Sequence, residues 1–178
     1  MEAIRDVPAG SNGIIFTPWL HGNRCPFEDP NARGMFFGIG LGTRAQDMIH
    51  SVIEGVAMHM LWQMEAMEKK VKVPETVRFV GGGALSSLTC QILADVLNRK
   101  IEIVGNPQDV GAVGAAALIA VGSGMADGIS QVGQLIKKTG TYIPNKSNTD
   151  IYSGVFETFR SLYKDNRKSF ESVSGRSR

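Results

Sequence analysis

Only two cysteines, Cys25 and Cys90, and three histidines occur in the 178 residues. The cysteines are 65 positions apart (90 minus 25), and neither they nor the histidines have metal-ligand spacing. This excludes a disulfide framework and a zinc site, and it predicts reduced thiols in a cytoplasmic protein, with Cys90 a small core residue. Charge of one sign is also lacking. Nineteen basic residues against 17 acidic leave a net charge of +2. That is too small to suggest a nucleic acid or a membrane surface as partner. No basic start followed by an apolar run marks a signal peptide, and no hydrophobic stretch is long enough to cross a bilayer. Internal repeats and low-complexity blocks are absent, apart from a Ser-, Gly- and Arg-rich end, so residues 171–178 are expected to be a disordered tail.

Glycine, in contrast, is plentiful, and it is concentrated where it carries information. In Phe79-Val80-Gly81-Gly82-Gly83-Ala84-Leu85-Ser86-Ser87, an apolar stretch from Val77 to Val80 reads as a buried strand, and a helical pattern runs from Ser87 to Leu97. A strand that breaks into glycines and opens a helix can cradle a phosphate. Gly lets an anion approach the backbone, and the first helical turn offers free N–H groups and the positive end of the dipole. No Gly-Lys-Ser/Thr follows, so the run is not a P-loop. Two readings stay open. One is a mononucleotide site of the ATPase kind. The other is a Rossmann NAD-binding unit, with Ser86 in the third small position and Glu102 as the ribose acid.

The remaining pattern alternates strands and helices. Apolar runs at 13–19 and 34–39 precede the longest helical signal, from Thr43, its expected N-cap, to about Lys70. Its apolar face is read as Ala45, Met48, Ile49, Val52, Ile53, Val56, Met60, Leu61 and Met64. Strands near 77–80 and 101–104 bracket the Ser87–Leu97 helix, which Asn98 should stop. Helices are expected at 109–121, 130–138 and 148–169, the last with Ile151, Val155, Phe156, Phe159, Leu162 and Tyr163 inward. This order predicts an α/β domain with a mostly parallel sheet. The 109–121 helix contains Gly111-Ala112-Val113-Gly114-Ala115-Ala116-Ala117. Two helical glycines cost about 0.8–1 kcal/mol each against Ala, so another backbone is expected close by. Trp19 and Trp62 read as packing, Asp95 as structural, Asp47 as suited to the helix N-terminus, His50 with Glu54 as a surface pair, and Glu54 itself as either a buried acid that orients a loop by hydrogen bonds or a solvated helix residue.

Several segments together resemble a known family. Gly34-Met35-Phe36-Phe37-Gly38-Ile39, a seven-residue gap, then Asp47 through Glu54 looks like the second signature of the FGGY carbohydrate kinases. The preceding Phe16-Thr17-Pro18-Trp19-Leu20-His21-Gly22-Asn23-Arg24-Cys25-Pro26 is similar to the family's loop there, with Asn23 where many members have Glu. Gly81 through Ser87, followed by Gln91 through Val96, resembles the adenosine-binding segment. Gly111 through Ala116 resembles the interdomain connecting helix.

The resemblance covers residues 8–170 and implies the C-terminal, nucleotide-binding domain (1–170) of the actin/hexokinase-type, ribonuclease H-like ATPase fold, incomplete at its N-terminal end. It implies transfer of the ATP γ-phosphoryl group, with Mg2+, to a sugar or polyol, xylulose above others. Gly81, Gly82, Gly83, Ala84, Ser86 and Ser87 would hold the nucleotide, Ser86 and Ser87 also capping the helix, while Arg44 could contact a phosphate. No residue here corresponds to the general-base Asp, and Asp29 and Asp47 do not match its motif. The base and the sugar-binding N-terminal domain would lie outside this chain, leaving it inactive alone. Exposed apolar surface at 111–117 and 13–20 would then promote a homodimer. The alternative is a stand-alone nucleotide-binding regulatory or partner module.

Overall fold

A computed structural model of the chain describes residues 2–133 and 136–174. Strand β1 (Ile15–Thr17) pairs antiparallel with β2 (Met35–Phe37), and the polar loop between them folds back on itself. Helix α1 (Ala45–Glu68) packs across β1. Strand β3 (Thr76–Phe79) leads through a 3-10 turn (Gly82–Leu85) into α2 (Ser87–Leu97) and parallel strand β4 (Lys100–Val104). A second 3-10 turn (Pro107–Asp109) opens α3 (Val110–Gly122), and α4 (Ile129–Gly133) follows. Strand β5 (Lys138–Tyr142) then pairs antiparallel with β4, and α5 (Lys146–Ser174) closes the domain.

The α/β class stands, but the sheet β3-β4-β5 is mixed rather than mostly parallel. β5 escapes the pattern because Lys138-Thr139-Gly140-Thr141-Tyr142 has no apolar alternation. It is held by its pairing, with Gly140 lying against the Ile103 side chain. Of the expected 130–138 helix, residues 130–133 are within α4, and Lys138 belongs to β5. β3 is half-buried rather than buried, and Val80 is exposed. The last helix reaches Ser174, into the expected tail, and Ser174 Oγ donates to the Asn31 carbonyl. Residues 175–178 lie outside the described residues.

The core gathers Met58 and Met64 of α1, the inner face of α2, Ile101 of β4, and Tyr152, Phe156, Phe159 and Leu162 of α5 around Trp19. Ile151 faces outward and Tyr152 inward, one position from the expected stripe. Helix α1 turns a different side to the core than its apolar periodicity predicts. In its first half the buried residues are Asp47, His50, Ser51, Glu54 and Gly55, while Ile49 and Val56 are exposed. Their neighbours Val52, Ile53 and Met60 line an apolar groove of about 180 Å³ with Phe79 and Leu93. The polar side is inward because the turn before β1, at Gly10, Ser11 and Asn12, and Tyr152 of α5 supply its hydrogen-bond partners.

The close backbone approach expected at α3 occurs instead at α1. A Cβ on Gly55 would lie 2.1 Å from the Phe16 carbonyl oxygen, whereas one on Gly111 or Gly114 would meet nothing within 4 Å. All of 111–116 is exposed and only Ala117 is buried. The exposure expected of that helix is present. Of residues 13–20 only Gly13 and Leu20 are exposed, since Ile15, Phe16 and Thr17 are covered by α1.

Candidate functional site

Gly81, between β3 and the 3-10 turn, has φ 91° and ψ −178°, a conformation open to glycine and strained for other residues. Its N–H donates to the Pro107 carbonyl at 2.7 Å, which ties the turn to the loop after β4. The 3-10 turn then closes through Ala84 N–H to Gly81 O and Ser86 N–H to Gly83 O. As in any helical first turn, the Gly82 and Gly83 N–H groups have no acceptor within it. Side chains added at Gly81 or Gly82 would meet nothing within 4 Å, so the backbone there faces open space. Gly83 is closed on one side by the Phe79 ring. Ala84 is buried, and its carbonyl accepts the Cys90 thiol, whose pKa burial raises.

Ser86 is the N-cap of α2: its Oγ accepts from Thr89 N–H at 3.2 Å. Asn98 stops the helix with φ 49°. Ser87 is exposed at the first helical position. Gly82, Leu85, Ser86 and Ser87 form one side of a hollow of about 370 Å³, with Arg5 on the other. The hollow thus brings together Gly82, Ser86 and Ser87, while Gly81 and Gly83 do not line it and Ala84 is buried. Replacing Ser86 by Ala should cost about 1 kcal/mol through loss of the cap. Chemical denaturation of the two proteins would measure it.

The acids fall elsewhere. Glu102 lies within β4 and bonds Lys138 at 2.9 Å, with Arg78 at 4.0 Å. It is satisfied across the sheet and is not placed as a ribose acid, which removes the support for the Rossmann reading. Asp47, not Thr43, begins the capping of α1: Arg44 is the N-cap, and its backbone N–H and guanidinium bond the Asp47 carboxylate. Thr43 instead accepts from Gly40 N–H. Hydrogen bonds from Arg44 hold the Asp47 carboxyl well below the usual carboxylate range. Arg44 is thus paired with Asp47, with its side chain still more than half exposed. Asp29 is buried and accepts from Tyr163 OH and Asn31 N–H. Asp95, as expected, is structural: Gln91, the Asn145 N–H and Asn148 bond its carboxylate and fix the start of α5.

His50 and Glu54 form a buried pair rather than a surface one, at 3.2 Å and joined by Ser11 and Tyr152. Sequence spacing showed the one-turn relation but could not show the partners 43 and 98 residues away. Burial first, and then the Glu54 charge, raises the Tyr152 pKa strongly. Ser, His and an acid here do not form a nucleophilic triad: Ser11 is fully buried and its hydroxyl donates directly to the carboxylate. His59, bonded to Trp19 and Gln63, has its pKa lowered by burial. Among the described residues, no group of three or more His, Cys, Asp or Glu is placed to hold a metal ion, and no helix is long and apolar enough to cross a membrane.

Residues 1–123 match the FGGY family of carbohydrate kinases, C-terminal domain. The chain is 34% identical over 161 residues to a xylulose kinase of Staphylococcus epidermidis, covering 89% of this chain and 32% of that protein. Among solved structures, a ligand-bound xylulose kinase from Lactobacillus acidophilus superposes with a TM-score of 0.86 at 27% identity, covering 97% of this chain and 35% of that one. A gluconate kinase from the same organism gives 0.85 at 27% identity, with the same coverage. The chain thus spans about a third of the length of the relatives it matches.

Proposed function

Because the chain belongs to the FGGY family of carbohydrate kinases as its C-terminal domain, we propose that it is the nucleotide-side half of an ATP-dependent sugar kinase. The observation that carries the reading is the open backbone at Gly81 and Gly82, set against the N-terminus of α2. The reaction moves the ATP γ-phosphoryl group to a sugar or polyol hydroxyl, forming a new P–O bond, breaking the β–γ bridge and releasing ADP and the hydroxyl proton. In this proposal Gly81, Gly82 and Gly83 give the nucleotide a surface free of side chains. The exposed N–H groups of the 3-10 turn and the dipole of α2 favour its negative charge. Ser87 is free for a polar contact, while Ser86 is committed to the cap. Mg2+ would accompany the nucleotide. The base that takes the proton, and the sugar pocket, belong to the portion of the relatives that this chain does not span. Xylulose is the favoured substrate, since xylulose kinases recur among its relatives. The protein would act in the cytoplasm, and α3 would pair with the remainder of the kinase or, without it, with a second copy.

The test is thermal unfolding with Mg-ATP, Mg-ADP or NAD at millimolar concentration. A ligand at about 100 times its Kd stabilises by about 2.7 kcal/mol, a rise of roughly 5–10 °C for this size. A rise is expected with ATP and ADP and not with NAD. Gly82→Val should leave the unliganded Tm nearly unchanged, since a side chain there meets nothing, yet abolish the rise. A rise with NAD alone, or one that survives Gly82→Val, would overturn the assignment. The pure chain should release no ADP when given a sugar.

A further inference from the structure

Residues 10–13 are four consecutive residues with positive φ: 83° at Gly10, 47° at Ser11, 51° at Asn12 and 91° at Gly13. Ser11 and Asn12 pay for this conformation, which an L side chain adopts as an isolated exception. It persists only where the surroundings dictate it, and one carboxylate dominates them. Glu54, 2% exposed, accepts from Gly10 N–H at 2.8 Å and Tyr152 OH at 2.8 Å through Oε1, and from Ser11 Oγ at 2.6 Å through Oε2. His50 Nδ1 is 2.9 Å from Ser11 Oγ and 3.2 Å from Glu54 Oε1. Since the Ser11 hydrogen goes to Glu54, Ser11 Oγ must act as acceptor, which requires the His50 proton on Nδ1.

The turn reaches further than its own residues. Asn12 Nδ2 donates to Asp47 at 3.0 Å. The Gly13 carbonyl presses on Gly38 so closely that a Cβ there would lie 2.3 Å away. Gly38 begins the loop 38–43, whose Ile39 and Leu41 are exposed. Asn12, Asp47 and this loop enclose a hollow of about 270 Å³.

We propose that Glu54 is a positioning residue: its carboxylate holds 10–13 left-handed, so that the turn fixes the loop 38–43, and Tyr152 ties α5 to the same point. This goes beyond the nucleotide reading and is independent of it, because the test needs no ligand.

The test is nuclear magnetic resonance on the labelled 178-residue chain. The wild type should show a His50 ring protonated on Nδ1 and a slowly exchanging Gly10 amide. In Glu54→Gln an amide group must face at least one donor, so Gly10 exchange should accelerate by about tenfold or more and the His50 tautomer should change. Phe170→Leu, in the core but remote from the network, controls for lost stability and should leave both signals in place. Unchanged signals in Glu54→Gln, or equal changes in Phe170→Leu, would sink the proposal. Should Glu54→Gln fail to fold, Tyr152→Phe decides: it should shift both the Gly10 and His50 resonances, and unmoved resonances would count against the role.

Discussion

Replacing Gly55 by Ala should destabilise the domain by about 2 kcal/mol or more, although Ala is the better helix former by about 1 kcal/mol. The added methyl would sit 2.1 Å from the Phe16 carbonyl oxygen and 3.0 Å from its carbon. Backbone atoms cannot rotate aside as a side chain can, and β1 is held by its pairing with β2. The only relief is for α1 to lift from β1, which loosens contacts along both elements. For a chain of this size the loss corresponds to a fall in Tm of roughly 4–8 °C. Gly114→Ala supplies the opposite sign. It removes the same helical glycine penalty with nothing within 4 Å to oppose it, so Tm should rise by roughly 2–4 °C. Thermal unfolding of the pair checks the argument, since equal effects would mean that propensity, rather than the contact with Phe16, governs position 55.

The same two positions show what could be read from the chain and what could not. Glycines in a helix point to a close neighbour, and the run at 111–117 points to it most strongly, but the signal does not say which glycine is used. Only the arrival of β1, 39 residues earlier in the chain (55 minus 16), selects Gly55. Local signals served where the governing contacts are local. Ser86 and Asn98 bounded α2 correctly because a cap is a property of a few adjacent residues. They failed where distant partners decide. His50 with Glu54 looks like a surface pair until the turn at 10–13 and Tyr152 are brought to it, whereas Asp47 suits the helix N-terminus from the sequence alone. β5, with its polar sequence, is a strand because β4 offers it an edge.

For the candidate site the division is similar. The strand–glycine–helix order is present, and of the expected residues Gly82, Ser86 and Ser87 line one hollow. Ala84 is buried, and its carbonyl accepts the Cys90 thiol of α2. Glu102 had suitable spacing for a ribose contact. Spacing alone could not reveal Lys138 on a strand that had not been anticipated.

Trp19→Ala is expected to have the largest effect of all, about 3–5 kcal/mol. The indole is 1% exposed and stands at the meeting point of separate parts of the chain. Its ring centroid lies 5.5 Å from Phe27 in the polar loop, and 5.5, 5.7 and 6.2 Å from Phe159, Tyr163 and Phe170 of α5. These edge and tilted contacts add to simple burial. The indole N–H also reaches His59 of α1 at 3.4 Å. Truncation would leave a cavity between the polar loop, α1 and α5, with Trp62 of α1 still reaching Phe27, Phe159 and Tyr163, and it would admit water to His59. Its imidazole should then lose the burial that lowers its pKa and titrate closer to the ordinary value. Against a total stability of about 5–15 kcal/mol, the loss is a large fraction. A urea titration should show the midpoint falling steeply, and Trp19→Phe should recover much of it by refilling the cavity without restoring the bond to His59. A midpoint for Trp19→Ala within experimental error of wild type would mean that α5 and the polar loop are held by contacts other than this ring cluster.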